Sequence, residues 1–444
     1  MTDYSSKKMK KVLIIASHFP PSNLAAIHRS RLFAQHLPSF GWEPVILTVH
    51  EDYYEEELDW SIVKLLPPGL RVEKVKAFRV TKPRTIGDIG LRGFFQMLSR
   101  AVHLVKTEKF DFLYITIPSF YLALLGRLVH LRTGIPYGID YIDPWVHQFP
   151  GTQKKFSRHW WSTKFAKWLE PFAVKKASLI TGVAEGYYDG VGERNPHLRS
   201  AAFFGAMPYG GEIEDHHKVS QFDLHPYVFE KKKDKIQLVY AGAMWRDTFP
   251  VVDKVLQSVA ENPELFKNVE FHFIGTGKTP NDPNGYNVRP MAEKWNLWNK
   301  NVFEYPKRIP YLDVLIHLQA ATGVLIIGST QPHYTPSKVY QAVLSAKPIL
   351  AVLHSASTAN HVIEHSNAGL VLRFDGEPDL DKVRKTFSAK YAEYASFLNN
   401  WNKDIVKHSM LQEYSAQNVT QKLAELLDAA YDKAVDRVPK NIPA

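Results

Sequence analysis

The stretch that most limits what this chain can become runs from Gly323 to Val352, GVLIIGSTQPHYTPSKVYQAVLSAKPILAV. Val324 to Ile327 and Ile349 to Val352 are unbroken apolar runs, the pattern of strands buried on both faces, with one short helical segment between them. Such a unit reads β-loop-α-β, with the two strands parallel. Thr335 is the natural N-cap and Pro336 suits the first helical position, where its missing N–H costs nothing. The helix then starts at the sheet's carboxyl edge. Free N–H groups near Ser337 and Lys338, together with the Lys338 ammonium, would suit a phosphate there, and Gln341 follows one turn later on the same face. The same residues also fit an exposed helix start that binds nothing.

The same alternation recurs along the chain. KVLIIASHF is followed by a loop, PPSNLAAIHRS, a helix, RLFAQHLPSFG, and a strand, EPVILTV. The glycines of a dinucleotide fingerprint are missing from that loop, and His18, Asn23, His28 and Arg29 stand where doubly wound folds place ligands. After a variable segment from Tyr53 to Thr85 come a helix from Leu91 to Lys106, a strand FDFLYITIP, a helix FYLALLGRLVHLRTG and a strand IPYGIDYID. Asp143, just before Pro144, should leave the sheet and face a cleft, as a catalytic acid or base or as a turn residue, whereas Asp140 can satisfy backbone groups in the turn.

From Lys154 to Ala177 the chain reads KKFSRHWWSTKFAKWLEPFAVKKA. Trp161, Phe165, Trp168 and Phe172 recur on one helical face, and Lys154, Lys155, Arg158, Lys164 and Lys167 supply positive charge. This helix either packs its aromatics into the core beneath the strand SLITGVA or lies on an anionic membrane.

A length of 444 residues asks for more than one core, and 45% hydrophobic with 13% aromatic residues is ample for buried sheets. No period is sustained from Glu193 to Lys235. Strand IQLVYAG then opens a second run of strands and helices that includes VEFHFIGTG, NVFEYP and the stretch described first. The expected plan is α/β: two doubly wound, Rossmann-like domains facing a cleft. Residues 1–205 form the first, 206–235 the connection and 236–400 the second, while helices in 401–444 pack back toward the first.

Lack of cysteine excludes disulfides, thiolate metal sites and a cysteine nucleophile. A formal charge of +10 implies anionic partners: nucleic acid, anionic lipid or phosphorylated small molecules. No zinc-finger, RNA-recognition or helix-turn-helix signature singles out nucleic acid, and none is expected as a partner. The apolar run VLIIA near the start is strand-like rather than a signal peptide. The tract from Phe112 is broken by Pro118 and carries Arg127 and His130, so no transmembrane helix is expected. The expected location is cytoplasmic, with a place at the inner face of the membrane.

The succession IQLVYAG, IGTG, NVFEYPKRIPYLDVLIHLQAATGVLII and TPSKVYQAVLSAKPILAV resembles the donor-binding half of GT-B fold glycosyltransferases, family 4-like. ITIPSFYLALLGRLVHLRTGIPYGIDYIDPW and LEPFAVKKASLITGVA resemble their acceptor-binding half. The resemblance implies a sugar transferred from a nucleotide-diphosphate sugar to an acceptor hydroxyl on a glycan, a lipid-linked molecule or a small molecule, with no cofactor and no metal required. It assigns the donor diphosphate to Arg246 and Lys338, with Ser337 and Gly242 close by and Gly275 on the same edge. It sets Tyr305 and Arg308 at the nucleobase and Gln341 at the ribose. The family has glutamates at the positions of His333 and Gln341, so this chain departs from it twice. In the first half Asp143 or His18 would take the acceptor proton, and Asn23, His28 and Arg29 would hold the acceptor. D-Y-I-D-P-W, ending after Asp143, matches a D-x-x-D-x-W pattern of one branch. A nucleotide-sugar epimerase and a catalytically silent sugar-binding protein are the alternative readings of the same scaffold.

Overall fold

The computed structural model describes residues 9–81, 86–117, 119–146, 155–279, 281–332, 334 and 336–436. It divides into two compact units, Met1–Gly210 with Ala416–Ala444, and Gly211–Ser415. The first holds strands β1 (Lys10–Ile15), β2 (Trp42–Val49), β3 (Arg71–Val75), β4 (Phe112–Thr116), β5 (Tyr137–Tyr141), β6 (Leu179–Gly182) and β7 (Phe203–Ala206). They pair in the order β3-β2-β1-β4-β5-β6-β7, all parallel. The second unit holds β8 (Ile236–Ala241), β9 (Val269–Ile274), β10 (Val302–Tyr305), β11 (Gly323–Ile327), β12 (Ile349–His354) and β13 (Gly369–Phe374). Their order is β10-β9-β8-β11-β12-β13, again all parallel. The two apolar runs that opened the sequence analysis pair in register, Val324 with Ile349 through Ile327 with Val352.

Apolar strands and crossover helices explain these sheets. Val12 to Ile15 and Leu350 to Leu353 are fully buried because helices cover both faces, so these strands tolerate no alternation of polar residues. In each sheet the winding reverses beside the first strand, between β1 and β4 and between β8 and β11. Loops leave such a reversal in opposite directions and open a crevice at the carboxyl ends.

Two expectations fail inside the first unit, for one reason. The helix after β1 spans Ile27–His36, starting within the expected loop, and carries Arg29 inward. Arg29 is buried; its Nε donates to Asp140 Oδ2 and its Nη2 to Oδ1 at 2.9 Å, while Nη1 donates to the carbonyls of Met207 and Pro208 at 2.7 and 3.2 Å. Asp140 lies within β5 rather than in a turn, and also accepts from Thr181 Oγ1 at 2.8 Å. Burial works against the charge of Arg29, but the adjacent carboxylate outweighs it and the guanidinium pKa is raised. Arg29 therefore straps the helix to β5 and to the chain after β7, and is not placed to hold an acceptor.

The aromatic face of the Arg158–Val174 helix does not pack into the core, one of the two placements the sequence allowed. Ala166, Glu170, Ala173 and Val174 are buried, whereas Trp161, Phe165, Trp168 and Phe172 are exposed. Lys154 lies outside the described residues.

The domain boundaries also shift. The supposed connection contains the end of β7 and a helix, Ile213–Val219, which belongs to the second unit. Residues 401–415 stay with that unit, while the Ala416–Asp436 helix returns to the first. Val419, Leu423 and Leu427 join Val12, Ile14 and Trp42 in one core, and Asp428 accepts from Lys10 Nζ at 2.6 Å and from Trp42 Nε1 at 3.0 Å.

Removing one member of the buried pair leaves the other charge without a partner, which typically costs about 3–5 kcal/mol. Asp140→Ala should therefore lower the unfolding free energy of the first unit by about that much in urea titration, and Asp140→Leu with Arg29→Met by less than the two single changes summed. A loss under about 1 kcal/mol for Asp140→Ala would mean that the pair does not hold the helix to the sheet.

Candidate functional site

At the second reversal point, backbone shape comes first. Gly242, just past β8, has φ 125°, and Gly275, just past β9, has φ 70°, values that L side chains rarely adopt. Gly242 N–H donates to the Ile274 carbonyl and Gly275 N–H to the Tyr305 carbonyl, both at 2.8 Å, so the three strand ends are stepped together. A Cβ on Gly242 would stand 3.4 Å from Lys338 Nζ, and one on Gly275 3.7 Å from Arg308 Cα. Gly242, Gly275, Arg308 and Lys338 thus meet at one carboxyl edge, with half-buried Tyr305 at the end of β10. Arg246 is exposed and opens the turn Arg246–Thr248. Thr330 N–H donates to the Asp247 carbonyl at 3.0 Å, tying the loop after β11 to the loop after β8.

Lys338 carries the chemistry of this edge. Its ammonium lies 3.7 Å from the centroid of the Tyr240 ring and donates to the Ala243 carbonyl at 3.4 Å. The side chain keeps some exposure, but crowding by the protein withdraws enough water from the ammonium to lower its pKa, to about 7. The helix starts at Lys338 rather than at Pro336, with Ser337 as N-cap making no side-chain capping bond. Val339 N–H instead donates to the Pro336 carbonyl at 3.1 Å, a tight turn that delays the helix proper. Thr335, expected as the cap, lies outside the described residues, as does His333. The Lys338–Leu344 helix has only seven residues, so its macrodipole is weak and the positive charge of this edge comes mainly from the Lys338 and Arg246 side chains.

Gln341 is less available than the sequence implies. His216 Nε2 and Gln341 Oε1 are 2.7 Å apart, so one end of the amide is committed and the other is left to meet a hydroxyl. Burial pushes the His216 pKa down, which keeps the ring neutral near pH 7. Glu304, buried in β10, accepts from Thr276 Oγ1 at 2.8 Å and from the N–H groups of Asn287, Val288 and Arg289 at 3.0, 2.9 and 2.8 Å, which fixes the loop beyond Gly275.

The first unit has its own crevice at the β1/β4 reversal, a cavity of about 200 Å³ lined by His18, Glu55, Glu56, Asp88, Arg92 and Ser119, among others. His18 Nε2 stands 3.7 Å from Glu56 Oε1, and Ser17 Oγ lies 3.3 Å from its Nδ1. Burial lowers the His18 pKa, against the opposing pull of Glu56 and Asp88. A neutral imidazole of this kind can take a proton. Arg92 Nη2 donates to Glu55 Oε1 at 3.1 Å, and Asp88 accepts from Ser119 Oγ at 2.5 Å. Asn23 and His28 are half-buried and do not line this cavity. Asp143 stands two residues beyond β5; its side chain meets solvent, while surrounding chain withdraws much of the bulk water and raises its pKa, to about 6. Sequence reasoning named His18 but not Glu55, Glu56, Asp88, Arg92 or Ser119. These come from separate loops and helix starts, where no period marks them.

Among the described residues, no group of three His, Cys, Asp or Glu is placed to hold a metal ion, and no helix is long and apolar enough to cross a membrane.

Residues 25–199 match the family described as glycosyl transferase 4-like domain. No curated protein sequence matches the chain significantly. Among solved structures, a glycosyltransferase from Rickettsia africae ESF-5 superposes with a TM-score of 0.61 at 12% identity, covering 97% of this chain and 100% of that one. HepE from Anabaena, in complex with UDP, gives a TM-score of 0.58 at 14% identity over 95% of this chain and 100% of its own. A putative UDP-N-acetylglucosamine 2-epimerase from Listeria monocytogenes gives 0.53 at 12%, over 98% and 100%. Likeness at such identities speaks for architecture alone. With two all-parallel, doubly wound units and solved neighbours of this architecture over nearly its whole length, the chain has the GT-B fold, and its residues 25–199 are similar to the glycosyl transferase 4-like domain.

Proposed function

We propose that the protein transfers a sugar from a nucleotide-diphosphate sugar, held by the second unit, to an acceptor hydroxyl held by the first. The observation that carries this reading is the meeting of Lys338, Gly242, Gly275 and Arg308 at the carboxyl edge of the second sheet, a close-approach anion site. HepE, a structural neighbour, is in complex with UDP and with UDP-glucose, which favours a uridine nucleotide as the donor's carrier.

In this reaction the bond from the anomeric carbon to the diphosphate oxygen breaks and a bond to the acceptor oxygen forms. Negative charge builds on the leaving diphosphate, where Lys338 and Arg246 stabilise it without any proton leaving the protein. The acceptor hydroxyl must also lose its proton. With inversion, Asp143, largely ionised at neutral pH, or neutral His18 takes it; with retention, the leaving phosphate itself can do so. The acid-rich cavity around His18 suits an acceptor rich in hydroxyls, because carboxylates accept hydrogen bonds from them. Glycans and lipid-linked sugars are of this class. Analysis of products with donor alone and with donor plus acceptor separates transfer or hydrolysis from epimerisation, which yields a new nucleotide sugar, and from binding without turnover.

Lys338→Ala should weaken UDP at least about tenfold while leaving uridine nearly unchanged, since a charge-assisted contact contributes about 1.5–3 kcal/mol. The wild-type affinity should also depend on pH. Because the free protein favours the neutral amine above about pH 7, UDP must restore the proton there. Affinity is therefore full below that pH and falls by up to about tenfold per unit above it, a slope missing in Lys338→Ala. Calorimetric titration at pH 6.5, 7.5 and 8.5 checks both, and equal losses for UDP and uridine would move Lys338 away from the phosphates.

Asp143→Asn should slow transfer at least about tenfold with UDP affinity intact, and the wild-type rate should rise with pH through about 6 as the carboxylate ionises. A mutant with unchanged turnover would leave the proton to His18 or to the leaving phosphate.

A further inference from the structure

We infer that the first unit docks on an anionic lipid bilayer through the outer face of the Arg158–Val174 helix. The helix is inverted by size. Its covered side holds the small residues Ala166, Ala173 and Val174, while Trp161, Phe165, Trp168 and Phe172 are 40 to 75% exposed on the opposite side. An amphipathic helix that serves only the core buries its largest apolar groups, because they gain most from leaving water. Spacing of four, three and four residues keeps these aromatics within a stripe about 60° wide. Phe156, 73% exposed, extends the stripe before the helix starts, and its φ of 65° is rare for a bulky residue. The rings also touch one another. Phe156 packs on Trp160 and Trp161 at 5.4 and 6.3 Å between centroids, and Trp161 stacks on Phe165 at 6.0 Å.

Charge decides what covers this face. Lys155, Lys164, Lys167, Lys175 and Lys176 are all exposed around the stripe. The lone acid from residue 155 to residue 184, Glu170, is buried and accepts from Arg194 Nε at 2.8 Å, so it does not offset them. Aromatic rings framed by ammonium groups, with no exposed carboxylate from residue 155 to residue 184, match the boundary between acyl chains and anionic headgroups. A second copy of this face would repel the first, lysine against lysine, and a cytosolic partner would have to be strongly acidic as well as apolar.

The helix follows β5 in a parallel sheet, so its first turns lie at the carboxyl edge, the edge that also bears Asp143 and the His18 cavity. An acceptor carried by a lipid would thus be presented to the unit from the bilayer it rests on. This last step rests on the transfer proposed above; the docking does not.

Flotation with vesicles tests the docking on the full chain. With vesicles of phosphatidylcholine and phosphatidylglycerol at low salt, the wild-type protein should float; with phosphatidylcholine alone, or at about 0.5 M salt, where the screening length shrinks to roughly 4 Å, it should float far less. Replacing Trp161, Phe165 and Trp168 with Ser, or Lys155, Lys164, Lys167, Lys175 and Lys176 with Gln, should each lower the partition coefficient by about tenfold or more. All eight side chains are exposed, so thermal unfolding should not change. Lys338→Ala and Asp143→Asn should float like wild type whether or not the protein proves to be a transferase. Wild-type protein that stays at the bottom with anionic vesicles overturns the inference, as does undiminished flotation of the lysine variant, which removes no apolar contact. Wild-type dimers dispersed by the aromatic changes, with no flotation, would assign the face to a second copy instead.

Discussion

A parallel strand covered by helices on both sides has nowhere to put a reactive side chain except its end. In both units the central strands are fully buried and largely apolar, so polar chemistry concentrates at the carboxyl edges, where loops leave the β1/β4 and β8/β11 reversals in opposite directions. The buried carboxylate inside the first sheet, Asp140, shows what the constraint demands. A carboxylate within β5 is tolerated because Arg29 and Thr181 occupy both of its oxygens.

The two edges differ in electrostatic character. At the second, a lysine and an arginine stand beside glycines whose missing side chains let a ligand's charged group come near the backbone. At the first, three carboxylates, one arginine and an uncharged imidazole surround a small cavity. One edge is thus suited to an anion and the other to neutral groups that donate hydrogen bonds. This division suits a reaction whose leaving group is a diphosphate and whose nucleophile is a hydroxyl.

Much of this was legible in the sequence because buried parallel strands write themselves as apolar runs. The Val324–Ile327 and Ile349–Val352 pairing, and the place of Lys338 between them, follow from that pattern. What could not be read depended on partners far away in the chain. Arg29 looked like a loop residue until Asp140, 111 positions away, drew it inward. Gln341 looked free until His216 engaged it, and β7 was overlooked because four residues with a glycine among them make too short a signal. Periodicity identified the aromatic stripe of the Arg158–Val174 helix but could not say which side of the helix faced the sheet. That was decided by Ala166 and Ala173, whose small side chains join the core of the first unit, where rings would not fit.

The Ala416–Asp436 helix has a consequence for how the protein is made. It completes the core formed by Val12, Ile14 and Trp42, yet the ribosome reaches it only after the whole second unit has been synthesised. At roughly 5–20 residues per second, the intervening stretch leaves that apolar surface waiting for about 10 to 40 seconds. During this interval the nascent first unit exposes a hydrophobic groove of the kind chaperones hold, while the second unit, continuous in sequence, can close around its own core. Although its strands emerge first, the amino-terminal unit is therefore the last to be finished.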